Sequence, residues 1–356
     1  MHDYLYDPEL VRLAIMLGII ASMVFYNRYG VTTGGIVVPG YLALFVLSPT
    51  HIAATFLIAL LSFWVVQGYL RPRLMLWGRR LFESEILVAL TFQILWIGFL
   101  FLLTPFIPQV ALLYGIGFLI PGIIAHDMGR QGIRSTIGAA IICILIVFGL
   151  IVIIGAFRDI LGLHISFLDT AQRSQVPDYA YPIEWILIGI TVSVLVSIAL
   201  YHQGLFPRSM LTHSLRAGGF VTAGYLALFI NQPEDLLFII VCSSLTYIIV
   251  TKFLMKQAIL FGRSKMAVMF LTGMAVTWAA EIIVFISGIE YTPWIGFTAI
   301  TPTIVALLAN DAERQGPKRT IIGVVAATVI VFVTMNVLYY AYKLLPISNH
   351  SLALIK

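Results

Sequence analysis

The sequence predicts an all-α polytopic membrane protein built from two parallel repeats of about six membrane segments each, short Pro/Gly-broken segments included, on three observations. Of its residues 60% are hydrophobic and 10% charged, whereas about a quarter of a soluble domain is charged. The stretch GGIVVPGYLALF at 34–45 returns as GGFVTAGYLALF at 218–229, an offset of 218 − 34 = 184. Asp127, Arg130, Gln131, Gly132 and Thr136 match Asp311, Arg314, Gln315, Gly316 and Thr320 at the same offset, so the chain is a tandem duplication. Basic loops, finally, punctuate the apolar stretches at matching places in both copies.

Taken in order, the N-terminal MHDYLYDPEL carries acidic residues in place of a signal peptide's basic region, and the first apolar stretch is expected to be kept as a helix. Charge-poor stretches follow at 13–27, 36–48, 52–70, 86–104, 110–125 and 136–156, and again at 185–201, 219–231, 236–251, 267–287, 294–309 and 321–342. A helix needs about 20 apolar residues to cross a hydrocarbon core about 30 Å thick. Four stretches per copy approach that length. The two short ones contain Pro39-Gly40 and Pro121-Gly122 in the first copy and are expected to be broken or irregular. The repeats then occupy 1–156 and 183–356, joined by a linker at 157–182 that carries Asp159, Asp169, Asp178, Pro177 and Pro182.

Orientation follows from the basic loops. Arg71, Arg73, Arg79 and Arg80, then Arg130 and Arg134, then Lys252, Lys256, Arg263 and Lys265, then Arg314, Lys318 and Arg319 are all expected in the cytoplasm. Returning to one side between 28 and 71 takes two crossings, so 36–48 must span or stretch across as partly extended chain. Six crossings per copy make the copies parallel and put the N-terminus, linker and C-terminal tail outside. The net charge of +5 thus reports topology before any polyanionic partner, and nothing suggests nucleic acid.

Two sets of residues are candidates for function. Short Pro/Gly-interrupted segments at matching places in two repeats point to a transport path. Pro39, Gly40, Tyr41, Pro121 and Gly122 belong to it, with Gly224, Tyr225 and Pro302 in the second copy; the bland alternative is a packing kink. In the second copy Ala223 stands for Pro39 and Val305-Ala306 for Pro121-Gly122, with Pro302 about one turn earlier. The second set is the loops HDMGRQGIRSTIG and NDAERQGPKRTIIG, each before a long apolar helix. A helix N-terminus with fixed positive charge favours anions, so Asp127, Arg130, Gln131, Gly132, Arg134, Asp311, Arg314, Gln315, Gly316 and Arg319 are candidates for binding an acidic chain or an acidic partner. The alternatives are positive-inside anchoring and, for Gly132 and Gly316, simple helix termination.

Arg79, Arg80 and Arg263 lie in a third repeated element, whose apolar Leu74, Met75, Leu76 and Trp77 could lie along the lipid interface or dock a partner. Glu281 is the carboxylate well inside a predicted span; its counterpart is Ile97 (281 − 184 = 97), and a cavity-facing or interfacial place is preferred to proton coupling. Cys143 and Cys242 read as packing residues. No phosphate-binding GxxxxGK[ST], HExxH or GxSxG motif is read, nor any pair of closely spaced cytoplasmic carboxylates with a metal-ligand histidine, so neither metal nor catalytic residues are assigned.

These residues carry a resemblance. YGVTTGGIVVPGYLALF, LWGRRLFE and FLIPGIIAHDMGRQG in the first copy, and AGYLALFINQP, LTYIIV, ILFGRSK and TIVALLANDAERQG in the second, resemble the CapC/PgsC family, the integral-membrane subunit of the bacterial poly-γ-glutamate capsule synthase. Members of that family look like one copy, and this chain like two fused. The resemblance implies a multi-pass subunit of the bacterial cytoplasmic membrane that anchors a separate Mur-ligase-like ligase of the CapB/PgsB type, with a CapA/PgsA-type extracytoplasmic subunit as a further partner. ATP and magnesium would belong to the ligase; this chain would be non-catalytic and pass the anionic polyglutamate outward. A secondary transporter for a small anion and a purely structural scaffold are the alternatives, and a membrane transferase has only the scattered His126, Asp127 and Glu281 to offer.

Overall fold

The computed structural model describes residues 8–107, 113–161, 178–202, 214–288, 291–297 and 299–344; linker residues 162–177 and both chain ends lie outside them. The first repeat comprises α1 (Pro8–Tyr29), a short α2 (Val38–Ala43), α3 (Pro49–Val65), α4 (Gly78–Leu103), α5 (Ile120–Gln131) and α6 (Ile133–Leu161). The second comprises α7 (Ile186–His202), α8 (Thr222–Leu228), α9 (Pro233–Ile248), α10 (Gly262–Ile286), α11 (Thr301–Gln315) and α12 (Pro317–Leu344). Among the described residues there is no strand, and eight helices are long and apolar enough to cross a membrane. Helix starts repeat the sequence offset: Val38 and Thr222, Pro49 and Pro233, Gly78 and Gly262, Ile133 and Pro317 are each 184 apart. Both α3 and α9 run on through a π turn, Val66–Leu70 and Ile249–Leu254, before their basic loops.

Each of the four short helices follows a stretch of non-helical chain. Thr33 bonds Ser22 on α1, and Gly40 lies against Ala14 and Ile15 further along it. Residues 30–48 therefore run back along α1 to the end where α3 begins. The chain at 113–131 does the same beside α4, with Leu113 O at Trp96, Gly117 O at Gln93 and His126 at Glu85. Unwound backbone at membrane depth requires partners within the protein, and side chains supply them. Thr55 Oγ1 accepts from Ile116 N at 2.8 Å; in the second repeat Ser193 donates to Phe220 O at 2.7 Å and Asp235 accepts from Trp294 N at 2.9 Å.

Proline is not what breaks these segments. Pro39, Pro121 and Pro302 each occupy the first turn of the helix that follows the non-helical stretch, where the missing N–H is harmless. Pro302 precedes the position matching Pro121 because α11 starts three residues early: 120 + 184 = 304, against Thr301. At the first break the turn comes from diglycine: Gly34 and Gly35 have φ of 78° and 128°, and Gly218 and Gly219 of 75° and 92°. The second copy has no proline there and forms α8 regardless, its first residue Thr222 bonding back to Gly218 O. The replacement of Pro39 by Ala223 therefore does not remove the break: both copies keep it.

The repeats are interlocked. α1 packs on α2 and α6 of its own repeat and on α10 of the other; α7 packs on α8 and α12 and, across the boundary, on α4. The first core gathers Ile15, Ile19 and Leu42 with Phe270 and Met274 of α10. The second takes in Ile86 and Leu90 of α4. Parallel repeats related by an axis along the membrane normal place like ends together, so the basic loops share one end. Glu281 lies near the end of α10. It is buried and paired with Arg12 of α1 by two hydrogen bonds, one at 2.8 Å, which neutralises both charges in a medium where an unpaired charge is costly. Cys143 and Cys242 are buried and free.

Candidate functional site

The repeated loops meet at the basic end, where each RQG triplet divides its labour. Gln131 lies at the end of α5, and its side chain clasps one residue of the α1–α2 connection: Oε1 accepts from Thr32 N at 2.8 Å and Nε2 donates to Thr32 O at 2.5 Å. The same Nε2 donates to Thr136 Oγ1 at 2.9 Å. Gln315 repeats this on Arg216 N and O (2.9 and 2.8 Å) and Thr320 Oγ1 (3.0 Å), and 32 + 184 = 216. A carboxamide carries both a donor and an acceptor, which is what clasping both polar groups of one residue's backbone demands. Gly132 and Gly316 end α5 and α11 with φ of 93° and 89°, the terminating role.

The aspartates hold the same junction differently. Asp311 Oδ2 accepts from Gly218 N and Gly219 N at 3.1 and 3.2 Å, pinning the diglycine, with Arg216 Nη1 at 3.7 Å from its other oxygen. Asp127 instead reaches across the boundary to Arg263 Nη2 at 2.7 Å, with Arg130 at 3.9 Å, and its buried Oδ2 has no hydrogen-bond partner among the described residues. Arg79, the counterpart of Arg263, bonds Glu83 at 2.7 Å and stacks 3.5 Å from the Tyr201 ring centre of the second repeat. Arg80, Arg130, Arg134 and Arg314 are exposed and Arg319 half-buried. The basic end therefore combines structural clasps with a rim of exposed arginines.

The broken-segment residues are closely packed within the protein. Gly40 and Gly122 are buried. A Cβ on Gly40 would fall 2.6 Å from Ile15 Cα and one on Gly122 2.8 Å from Ile86 Cα, so each glycine admits a close helix crossing. Gly224 sits less tightly, 3.2 Å from Gly189 O. Pro39, Pro121 and Pro302 are buried. Tyr41 donates to Ala299 O at 3.1 Å across the boundary, and Tyr225 packs against Phe297 with centroids 5.6 Å apart. Leu74, Met75 and Trp77 are exposed, but Leu76 is buried and leaves the predicted interfacial set.

Sequence reasoning missed the carboxylates at the start of α4. Glu83 accepts from Arg79 and meets His202 Nε2 at 2.7 Å, while Glu85 meets His126 Nδ1 at 2.6 Å and Gln67 Nε2 at 2.7 Å. Two carboxylates, each with a histidine, thus do lie at the basic end, although no group of three metal-ligating side chains able to hold an ion occurs among the described residues. The visible signal was the pair of acids in LFESEI, at odds with a loop otherwise basic. Lys265–Glu313 is a further missed pair.

Comparison with known proteins places this architecture. The sequence profile described as "Capsule biosynthesis CapC" matches residues 17–137 and again 204–321, more than half the chain. A protein of Bacillus subtilis (strain 168) named "PGA biosynthesis protein CapC" is 33% identical over 130 residues, 36% of this chain and 85% of that protein. The "Capsule biosynthesis protein CapC" of Bacillus anthracis is 32% identical over 130 residues, with the same shares. No solved structure matches.

Proposed function

The chain belongs to the CapC family of capsule biosynthesis, and from that premise we propose that it is the non-catalytic membrane subunit of a poly-γ-glutamate synthase and export complex. It anchors a cytoplasmic Mur-ligase-like subunit, which brings ATP and magnesium, and helps the anionic polymer leave the cell; an extracytoplasmic CapA/PgsA-type subunit completes the complex. The carrying observation is the rim of exposed Arg130, Arg134, Arg314 and Lys318 at one end of both repeats. By the positive-inside rule that end is cytoplasmic, and the N-terminus, linker and C-terminal tail are outside. A polymer with one α-carboxylate per residue, or an acidic ligase surface, is concentrated at such a rim. The name of the Bacillus subtilis relative, a PGA biosynthesis protein, supports the polymer's identity, and that of the Bacillus anthracis relative supports a capsule role.

Replacing Arg130 and Arg314 together with Glu tests this. Ligase co-purification, surface polymer or both should fall; normal values for both remove the loops from the mechanism.

A further inference from the structure

The two copies differ in chemistry at one place beside the basic rim. In the first, Arg71 Nη1 donates to Gln67 Oε1 at 2.7 Å, Gln67 Nε2 donates to Glu85 Oε1 at 2.7 Å, and His126 Nδ1 meets Glu85 Oε2 at 2.6 Å. Adding 184 to 67, 71, 85 and 126 gives Thr251, Met255, Met269 and Asn310, so the second copy keeps neither the carboxylate nor the imidazole. A carboxylate with no solvent exposure is a costly feature to retain beside a membrane unless it is used.

The directions of the bonds fix the chemistry. Arg71 can only donate, so the Gln67 oxygen faces it and the Gln67 amide N–H faces Glu85. Glu85, taking that donor on one oxygen, accepts the His126 Nδ1–H on the other. The imidazole is thereby held in one tautomer, with Nε2 as its open nitrogen. The His126 side chain is 23% exposed with its ring 4.8 Å from that of Phe82, and Arg130, exposed, follows one helical turn later on the same helix.

Resting on the polymer-handling reading above, we propose that His126 is a carboxylate-binding residue of the first repeat, held for that role by Glu85 and Gln67, and that it takes an α-carboxylate of the γ-linked glutamate chain at the cytoplasmic mouth. Protonated at Nε2, the imidazole donates a charge-assisted hydrogen bond to the polymer carboxylate, while Glu85 balances the ring from behind. Arg130 supplies a second cation for the same or the next carboxylate. The matching positions of the second repeat hold Asn310 and Met269, and the other histidine–carboxylate pair at this end, His202 with Glu83, turns Nε2 toward its carboxylate, so the Nδ1-held arrangement occurs once among the described residues.

The full-length protein in detergent, with a fluorescent γ-linked glutamate oligomer as probe, provides the test. The triple variant Gln67→Thr, Glu85→Met, His126→Asn installs the residues the second copy already accommodates and should weaken oligomer binding about tenfold, the scale of one charge-assisted hydrogen bond. Glu85→Gln, nearly isosteric, should weaken it similarly. On the unmodified protein, the oligomer should slow modification of His126 by diethyl pyrocarbonate, which needs no variant to fold. Native-strength binding by the triple variant, or modification of His126 indifferent to the oligomer, overturns the site and spares the polymer-handling reading. A native chain that binds no oligomer removes both. A triple variant that keeps oligomer binding but loses the ligase assigns the cluster to protein docking and overturns the proposal.

Discussion

Arg12 in the first turns of α1 and Glu281 near the end of α10 form a buried, doubly hydrogen-bonded ion pair across the boundary between the repeats. The residues are 269 apart in sequence, and their side chains are 3% and 7% exposed. Removing one partner strands the other charge, so Arg12→Ala or Glu281→Ala should each destabilise the protein by about 3–5 kcal/mol. The double replacement Arg12→Met, Glu281→Leu should recover most of that. Thermal unfolding in detergent measures it; single variants as stable as the parent would show that the pair is not engaged.

The glutamine clasps give a second expectation. Gln131→Ala leaves the Thr32 backbone groups unpaired at a buried junction and should cost about 1–3 kcal/mol, and Gln131→Glu, which cannot donate to Thr32 O, should do little better. Hydrogen exchange should rise at residues 30–37 while α4 and α6 stay protected. Gln315→Ala should act likewise at 214–221.

A third concerns helix approach. A Cβ on Gly40 would meet Ala14 O at 2.7 Å and Ile15 Cα at 2.6 Å, both backbone, whereas one on Gly224 would meet its neighbours at 3.2 Å or more. Gly40→Ala should therefore cost about 1–3 kcal/mol as overpacking, and Gly224→Ala clearly less. Equal midpoints for the two variants would contradict the geometry.

The crosswise packing predicts how the chain divides. Expressed alone, a first-repeat fragment loses Phe270 and Met274 from its core, and a second-repeat fragment loses Ile86 and Leu90. Each should aggregate or be degraded singly, and the two co-expressed should co-purify. Two separately stable, monodisperse fragments would refute the interlock.

Much of the fold was legible because the chain states it twice. The 184-residue offset and the basic loops sufficed for parallel repeats, and the topology argument led to the expectation that 36–48 spans or stretches across as partly extended chain. What stayed hidden depends on which repeat a side chain faces. Asp127 and Arg130, expected in one loop, stand one turn apart on α5, yet the tighter partner of Asp127 is Arg263 of the other repeat. Glu281 looked solitary because its counter-ion lies at the far end of the chain. The break was assigned to Pro39 because proline is conspicuous, while the diglycine that turns the backbone was read as part of the repeat's signature. Gln131 and Gln315 read as binding residues because they recur with arginine; that each also clasps the backbone of one residue in its own repeat could not be read from the recurrence.

The crossed seams have a consequence for how such a chain can change. In a pair of identical chains about a true two-fold axis every substitution is made twice, once at each seam, so a charge useful at one is imposed on the other. Here the seam of α1 with α10 carries Arg12 and Glu281, while the matching positions at the seam of α4 with α7 are Val196 and Ile97. Covalent linkage makes the seams separately heritable: one can acquire a lock, or one mouth a histidine, without the other inheriting it.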